Sequence, residues 1–188
     1  LKIFKHANEN QYENILILED DFIFHKDIKN KNVQKDVCDF VNKYKNTDFQ
    51  YLLGCIPIIK MPYTLNGKHY KPIMCLGTHA CIYSKKNRIK ILNVPQQNIL
   101  DWDYYSFYNL RYMYYRPLCY QLFPETENSK TWCFLATMLK HVFNLLKLDE
   151  KVEPGYSIFY IFSKMLFFIL LFVIFYLLYL LYLFIYKK

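Results

Sequence analysis

From Met165 to Tyr186 the chain holds no charged residue and little besides Leu, Ile, Phe, Val and Tyr. Twenty-odd residues at ~1.5 Å rise make roughly 33 Å of helix, enough for the ~30 Å hydrocarbon core of a bilayer. A helix packed on a water-soluble core keeps a polar face over such a length, and this stretch has none. Tyr182 and Tyr186 near its C-terminal end, Lys164 before it and Lys187-Lys188 after it suit the two interfaces. The reading is one transmembrane helix over Met165–Tyr186. Lysines flank both ends, so charge does not orient it. With two residues beyond the span, the simple expectation is a single-pass, C-terminally anchored chain facing the cytoplasm. A signal peptide ahead of Leu1 would reverse that.

The rest of the 188 residues is long enough for one domain with its own core. Net charge is +8, but Lys and Arg are scattered, and Lys26–Lys35 and Lys85–Lys90 read as solvated helix faces. No nucleic-acid partner is expected; a basic surface near anionic lipid is. Cys38, Cys55, Cys75, Cys81, Cys119 and Cys133 form no CxxC pair and no zinc spacing, so buried free thiols are expected rather than disulfides.

Within that domain the organising stretch is Ile15-Leu16-Ile17-Leu18-Glu19-Asp20-Asp21. A short aliphatic run bounded by polar sequence reads as a strand buried on both faces. It delivers three acids to a sheet end, where open α/β folds place ligands. Like charges at ~5 Å and an effective dielectric of ~20 cost on the order of 3 kcal/mol per pair. Solvation, a pKa shift or a cation can relieve that, and oxygen ligands suit Mg²⁺ or Mn²⁺. The plain alternative is an acidic loop after a core strand.

Leu1–Ala7 reads as the tail of a helix with Ile3, Phe4 and Ala7 on one side. Val33, Val37, Phe40, Val41 and Tyr44 make one apolar stripe, predicting a helix over Asn32–Tyr44. Phe49–Leu53 reads as a strand stopping at Gly54, and strand, helix, strand makes an α/β crossover unit. Pro57 through Pro72 reads as an irregular excursion with a short hairpin at Asn66-Gly67. Ile73–Leu76 and Ala80–Tyr83 are strand interrupted by Gly77-Thr78-His79, and Ser84 caps a helix over Lys85–Leu92 that Pro95 breaks. An aromatic helix-like run leads to Tyr115, Pro117–Phe123 is a late strand, and Trp132–Leu148 has helical spacing.

Two further features join the acids. Gly77-Thr78-His79 breaks a strand, as close approach of backbone to a ligand requires. Asp101-Trp102-Asp103 sets two carboxylates beside an indole, a way to hold a sugar while deprotonating a hydroxyl. Taken singly, His79 is more often a hydrogen-bonded structural histidine, and Asp101 and Asp103 are more often acids at a helix start.

These blocks together resemble glycosyltransferase family 25, the lipopolysaccharide-biosynthesis and collagen-galactosyltransferase type. The likeness lies in Ile15–Asp21, Gly77–Ser84, Asp101-Trp102-Asp103, Pro117-Leu118-Cys119-Tyr120-Gln121 and, beyond them, Asn128-Ser129. It covers about Leu1–Trp132. It implies a GT-A-like α/β nucleotide-sugar transferase fold and metal-assisted, inverting transfer of a hexose from a UDP-sugar. The acceptor would be a hydroxyl of a glycan or glycoprotein. On that resemblance Asp21 and Glu19 would hold Mn²⁺ (or Mg²⁺), with Glu19 and Asp20 at the nucleotide-sugar site. Gly77, His79 and Gln121 would line the donor, Asp101 or Asp103 would be the general base, and Tyr83 is a further candidate. The family carries roughly another half-domain ahead of the acidic strand, so the resemblance implies a fold that would be N-terminally incomplete here, this chain being the C-terminal portion of a catalytic domain.

The expected organisation is therefore a partial GT-A-like domain over 1–132, an amphipathic juxtamembrane region over 133–164 and a span over 165–186. Two other functions use the same residues. Metal-dependent phosphoryl transfer or nuclease chemistry would recruit Asp101 or Asp103 to a second metal. An inactive membrane-anchored remnant or partner subunit would need neither.

Overall fold

The computed structural model describes residues 1–99, 109–122 and 134–186. Its elements are α1 (Lys2–Glu9), β1 (Asn14–Leu18), β2 (Phe22–Phe24), α2 (Lys31–Tyr44), β3 (Gln50–Pro62), β4 (His69–Ser84), α3 (Lys85–Leu92), β5 (Arg111–Tyr114), β6 (Cys119–Gln121), α4 (Phe134–Leu145) and α5 (Gly155–Tyr186). Among the described residues these make a mixed α/β fold with one long apolar C-terminal helix.

The main sheet runs β1-β4-β3-β5. β4 is antiparallel to both β1 and β3, and β5 is parallel to β3. β1 and β3 therefore point the same way with β4 between them, so the expected crossover unit exists but is split by an antiparallel strand. β1 consequently sits at the sheet edge. Ile15 and Ile17 pack inward and Leu16 is 46% exposed, which corrects the expectation of a strand buried on both faces. Continuous aliphatic sequence does not distinguish an edge strand from a central one.

The β3–β4 hairpin is the larger departure. β3 does not stop at Gly54, and Pro57–Pro72 is no irregular excursion; both arms continue as paired strand. Proline costs a ladder hydrogen bond, and the arms accommodate theirs with register shifts around Pro57 and Lys60. The expected turn at Asn66-Gly67 is present. Asn66 accepts through Oδ1 from Thr64 Oγ1 (2.7 Å) and Lys68 N (3.0 Å), and Gly67 sits at φ +66. The hairpin bends so far that its tip returns to β5, pairing His69 with Tyr114 and Tyr70 with Met113. Arg111–Tyr114 is accordingly strand, not the end of a helix-like run. Its aromatic and β-tolerant side chains suit a fully buried pleat.

The helices follow their stripes. α2 starts at Asn30, whose side chain accepts from Asn32 N at 2.9 Å, and it buries Val33, Val37, Phe40 and Val41 on Phe49, Tyr51 and Tyr112. α1 buries Phe4 and Ala7 but leaves Ile3 59% exposed, so Ile3 is off the packed face. Ser84 caps α3, accepting from Asn87 N at 3.2 Å, and the same oxygen accepts from Phe49 N at 3.1 Å. All five described cysteines are free thiols; Cys55, Cys75, Cys81 and Cys119 are buried, whereas Cys38 is exposed.

α5 has two characters. Tyr156, Tyr160 and Ser163 are buried, and Tyr156 and Tyr160 share one core with Leu52, Met113, Phe143 and Leu148. Beyond Ser163 no described residue of the helix is buried. The helix is long and apolar enough to cross a membrane, and it runs into that stretch from the core without a break.

Candidate functional site at the end of β1

β1 ends at Leu18, and the chain turns through Glu19, Asp20 and Asp21 into β2. β2 leaves the main sheet and pairs with β6, so that Phe22 faces Gln121 and Phe24 faces Cys119. This ribbon crosses over β3 at Gly54, where Leu118 N donates to Leu53 O at 2.8 Å. A Cβ on Gly54 would stand 2.2 Å from the Cys119 carbonyl oxygen and 2.3 Å from His79 Nε2. Only a residue without a side chain lets the three segments close on one another. The turn between β1 and β2 is thereby fixed above β4.

The β4 segment beneath it is Gly77-Thr78-His79. Gly54 pairs with Ala80 and Ile56 with Leu76, so three residues of β4 oppose Cys55 alone. That bulge needs a left-handed residue, and Gly77 supplies it at φ +84. The bulge turns its polar groups to the acidic turn. Glu19 N donates to His79 O at 2.9 Å, and Thr78 Oγ1 donates to Glu19 Oε1 at 3.4 Å. From β6, Gln121 Nε2 donates to Asp21 Oδ2 at 2.5 Å. A Cβ on Gly77 would lie 3.1 Å from His79 Nδ1 and 3.8 Å from Gln121 Oε1.

Glu19, Asp21, Gly77, His79 and Gln121 thus come together where β1 ends over the β4 bulge, with Asp20 exposed in the same turn. His79 lies behind this surface, since its ring is fully buried. Burial pulls its pKa down to about 4 despite the nearby Cys119 carbonyl, Asp21 charge and Gln121 amide, so it is a neutral imidazole at pH 7. Neither ring nitrogen makes a well-directed hydrogen bond among the described residues. Tyr83 is elsewhere: it is buried in the core against Phe4, ring centroids 5.0 Å apart. Asp101, Asp103, Asn128 and Ser129 lie outside the described residues.

The acids are exposed, and among the described residues no lysine or arginine forms an ion pair with Asp20 or Asp21. Nor, among the described residues, do three His, Cys, Asp or Glu side chains group as metal ligands. Two carboxylates do not make a cage. Mg²⁺ is commonly held by one or two carboxylates, with water and substrate phosphate completing the shell.

Two contributors were not visible in the sequence. Gly54 could have been suspected, because the chain has only four glycines and this one interrupts an apolar strand. Tyr156 gave no signal among 19 tyrosines. Its hydroxyl meets Gln121 N and Gln121 O, both at 3.0 Å. Comparison with protein-family models and with curated proteins finds no match to this chain.

Proposed function

We propose that the chain is the diphosphate-handling part of a membrane-anchored glycosyltransferase of GT-A type, moving a hexose from a UDP-sugar to a hydroxyl of a glycan or glycoprotein. One observation carries the reading. Segments separated by about sixty and forty residues, Glu19–Asp21, Gly77–His79 and Gln121, meet where β1 ends over the β4 bulge, and they are three of the blocks that resemble the family. A divalent cation held by Asp21 and Glu19 would act as a Lewis acid toward the departing diphosphate. Gln121 orients the Asp21 carboxylate, Thr78 steadies Glu19, and the bare backbone of Gly77 keeps the bulge tight beneath them. Asp101 or Asp103 would take the acceptor's hydroxyl proton. α5 would hold the domain at the bilayer surface as a single-pass anchor.

The test uses the full chain in lipid nanodiscs. Expected are stabilisation by UDP with Mn²⁺ and release of UDP from UDP-galactose or UDP-glucose, both lost in Asp21→Ala. Cleavage of a phosphodiester in place of a UDP-sugar would transfer the same residues to phosphoryl-transfer chemistry. No response to UDP or Mn²⁺ would favour a non-catalytic membrane-anchored subunit.

A further inference from the structure

The N–H and C=O of one strand residue face the same side, so a neighbouring strand ordinarily takes both. At the end of β6 a single atom does so. Tyr156 Oη accepts from Gln121 N at 3.0 Å and donates to Gln121 O at 3.0 Å. The phenol is fully enclosed, edge-on to Tyr120 at 5.0 Å and perpendicular to His79 at 6.4 Å. A phenylalanine would fill the same space. What the hydroxyl adds is a donor and an acceptor, both spent on Gln121. The side chain of that same Gln121 holds Asp21.

We propose that Tyr156 is a positioning residue for the candidate site: by fixing the backbone of Gln121 it sets the amide against the Asp21 carboxylate. The helix apolar enough for a membrane then also sets the geometry of the acidic turn. The link between Tyr156 and Asp21 stands on geometry alone; its consequence for metal binding rests on the function proposed above. A second clamp nearby supplies a control. Glu153 accepts from Tyr120 Oη (2.6 Å), Ser157 Oγ (2.9 Å) and Ser157 N (3.2 Å) without touching Gln121.

The full chain, selectively labelled with ¹⁵N-glutamine in lipid nanodiscs, gives a readout independent of activity and of metal. The side-chain amide resonance of Gln121 is identified by its absence in Gln121→Ala, and its unbonded position is taken from Asp21→Ala. Tyr156→Phe is expected to move that resonance to the unbonded position and to weaken Mn²⁺ binding about tenfold, the usual scale for residues that support a ligand. Glu153→Ala, which loosens the start of α5 elsewhere, is expected to leave both near wild type. An unmoved resonance in Tyr156→Phe overturns the proposal, and so does an equal movement in Glu153→Ala. If Tyr156→Phe does not fold, 3,5-difluorotyrosine at position 156 keeps the ring and changes the hydroxyl's hydrogen bonding; an unmoved resonance there is equally decisive against it. A wild-type chain that binds no Mn²⁺ would sink the functional reading while the resonance still decides the role of Tyr156.

Discussion

Replacing Gly54 by alanine tests the packing on which the site depends. The added carbon would stand 2.2 Å from Cys119 O, 2.7 Å from Cys119 C and 2.3 Å from His79 Nε2, against an ordinary carbon contact of ~3.5 Å. None of the three can swing aside. Cys119 is held by pairing with Phe24 and by the neighbouring Leu118 N to Leu53 O bond, and His79 is enclosed in the bulge. β6 would have to retreat by ~1 Å, at an overpacking cost of about 1–3 kcal/mol, and lose a buried hydrogen bond worth about 1 kcal/mol. Alanine's lower unfolded-state entropy returns about 0.5–1 kcal/mol. The net loss is about 1–3.5 kcal/mol, or ~2–14 °C in Tm for a chain of this size. Gly67→Ala is the internal comparison. It meets no atom within 4 Å, so it carries only the strain of φ +66, about 1–2 kcal/mol. Thermal melts of both variants in one detergent decide the matter. Gly54→Ala melting no lower than Gly67→Ala would refute the close approach of β3, β6 and His79.

Buried polar groups give three more expected outcomes. Ser84→Ala strips the cap from α3 and leaves Phe49 N without its partner, so a loss of about 2–3 kcal/mol is expected in denaturant unfolding. His79, neutral in the fold with its pKa near 4, takes up its proton in the unfolded chain near 6.5. Stability should fall as pH drops from about 6.5 and level off near 4, His79 contributing on the order of 3 kcal/mol. His69, which burial also brings down to about 4, adds to the slope, so His79→Gln should reduce it and leave the His69 part in melts taken across the range. Lys60 Nζ donates to Tyr115 O at 2.9 Å between the rings of Tyr70 and Tyr160, and burial, with Lys164 adding to it, brings its pKa down to about 7. Its unfolded amine protonates first as pH falls from about 10.5. Wild type should therefore lose stability relative to Lys60→Met between about pH 10 and 7 and lose no more below.

The parts of the fold that were legible share a cause. α2 declares itself because Val33, Val37, Phe40 and Val41 repeat at helical spacing, and α3 because Ser84 is a residue that caps a helix on its C-terminal side. The hairpin turn is legible because Asn66-Gly67 admits positive φ. The failures also share one. Whether Ile15–Leu18 lies at an edge, whether β3 passes Gly54, and whether Arg111–Tyr114 is strand are decided by partners far along the chain. Prolines 57, 62 and 72 argue locally for a loop; the pairing of both arms, and of their tip with β5, outweighs them. Local propensity yields to long-range contact where the residues are apolar and the period is short.

The same division runs through the candidate site. The acids and the bulge glycine could each be named because their chemistry is unusual at its place: three carboxylates after four aliphatics, a glycine inside a strand; Gln121 enters only through the family resemblance. What holds them together has ordinary chemistry and an unusual position. Gly54 acts by lacking a side chain, and Tyr156 by standing where a neighbouring strand would be. Neither role exists until β6 has crossed β3 and α5 has docked on both. A site assembled from three distant segments needs such spacers and clamps, since an exposed carboxylate such as Asp21 is only as well placed as the backbone behind it. The polar contact at Asp21 and the packing of α5 are therefore one structural unit. Losing the Tyr156 hydroxyl should reach the acids through Gln121 before it unfolds the sheet.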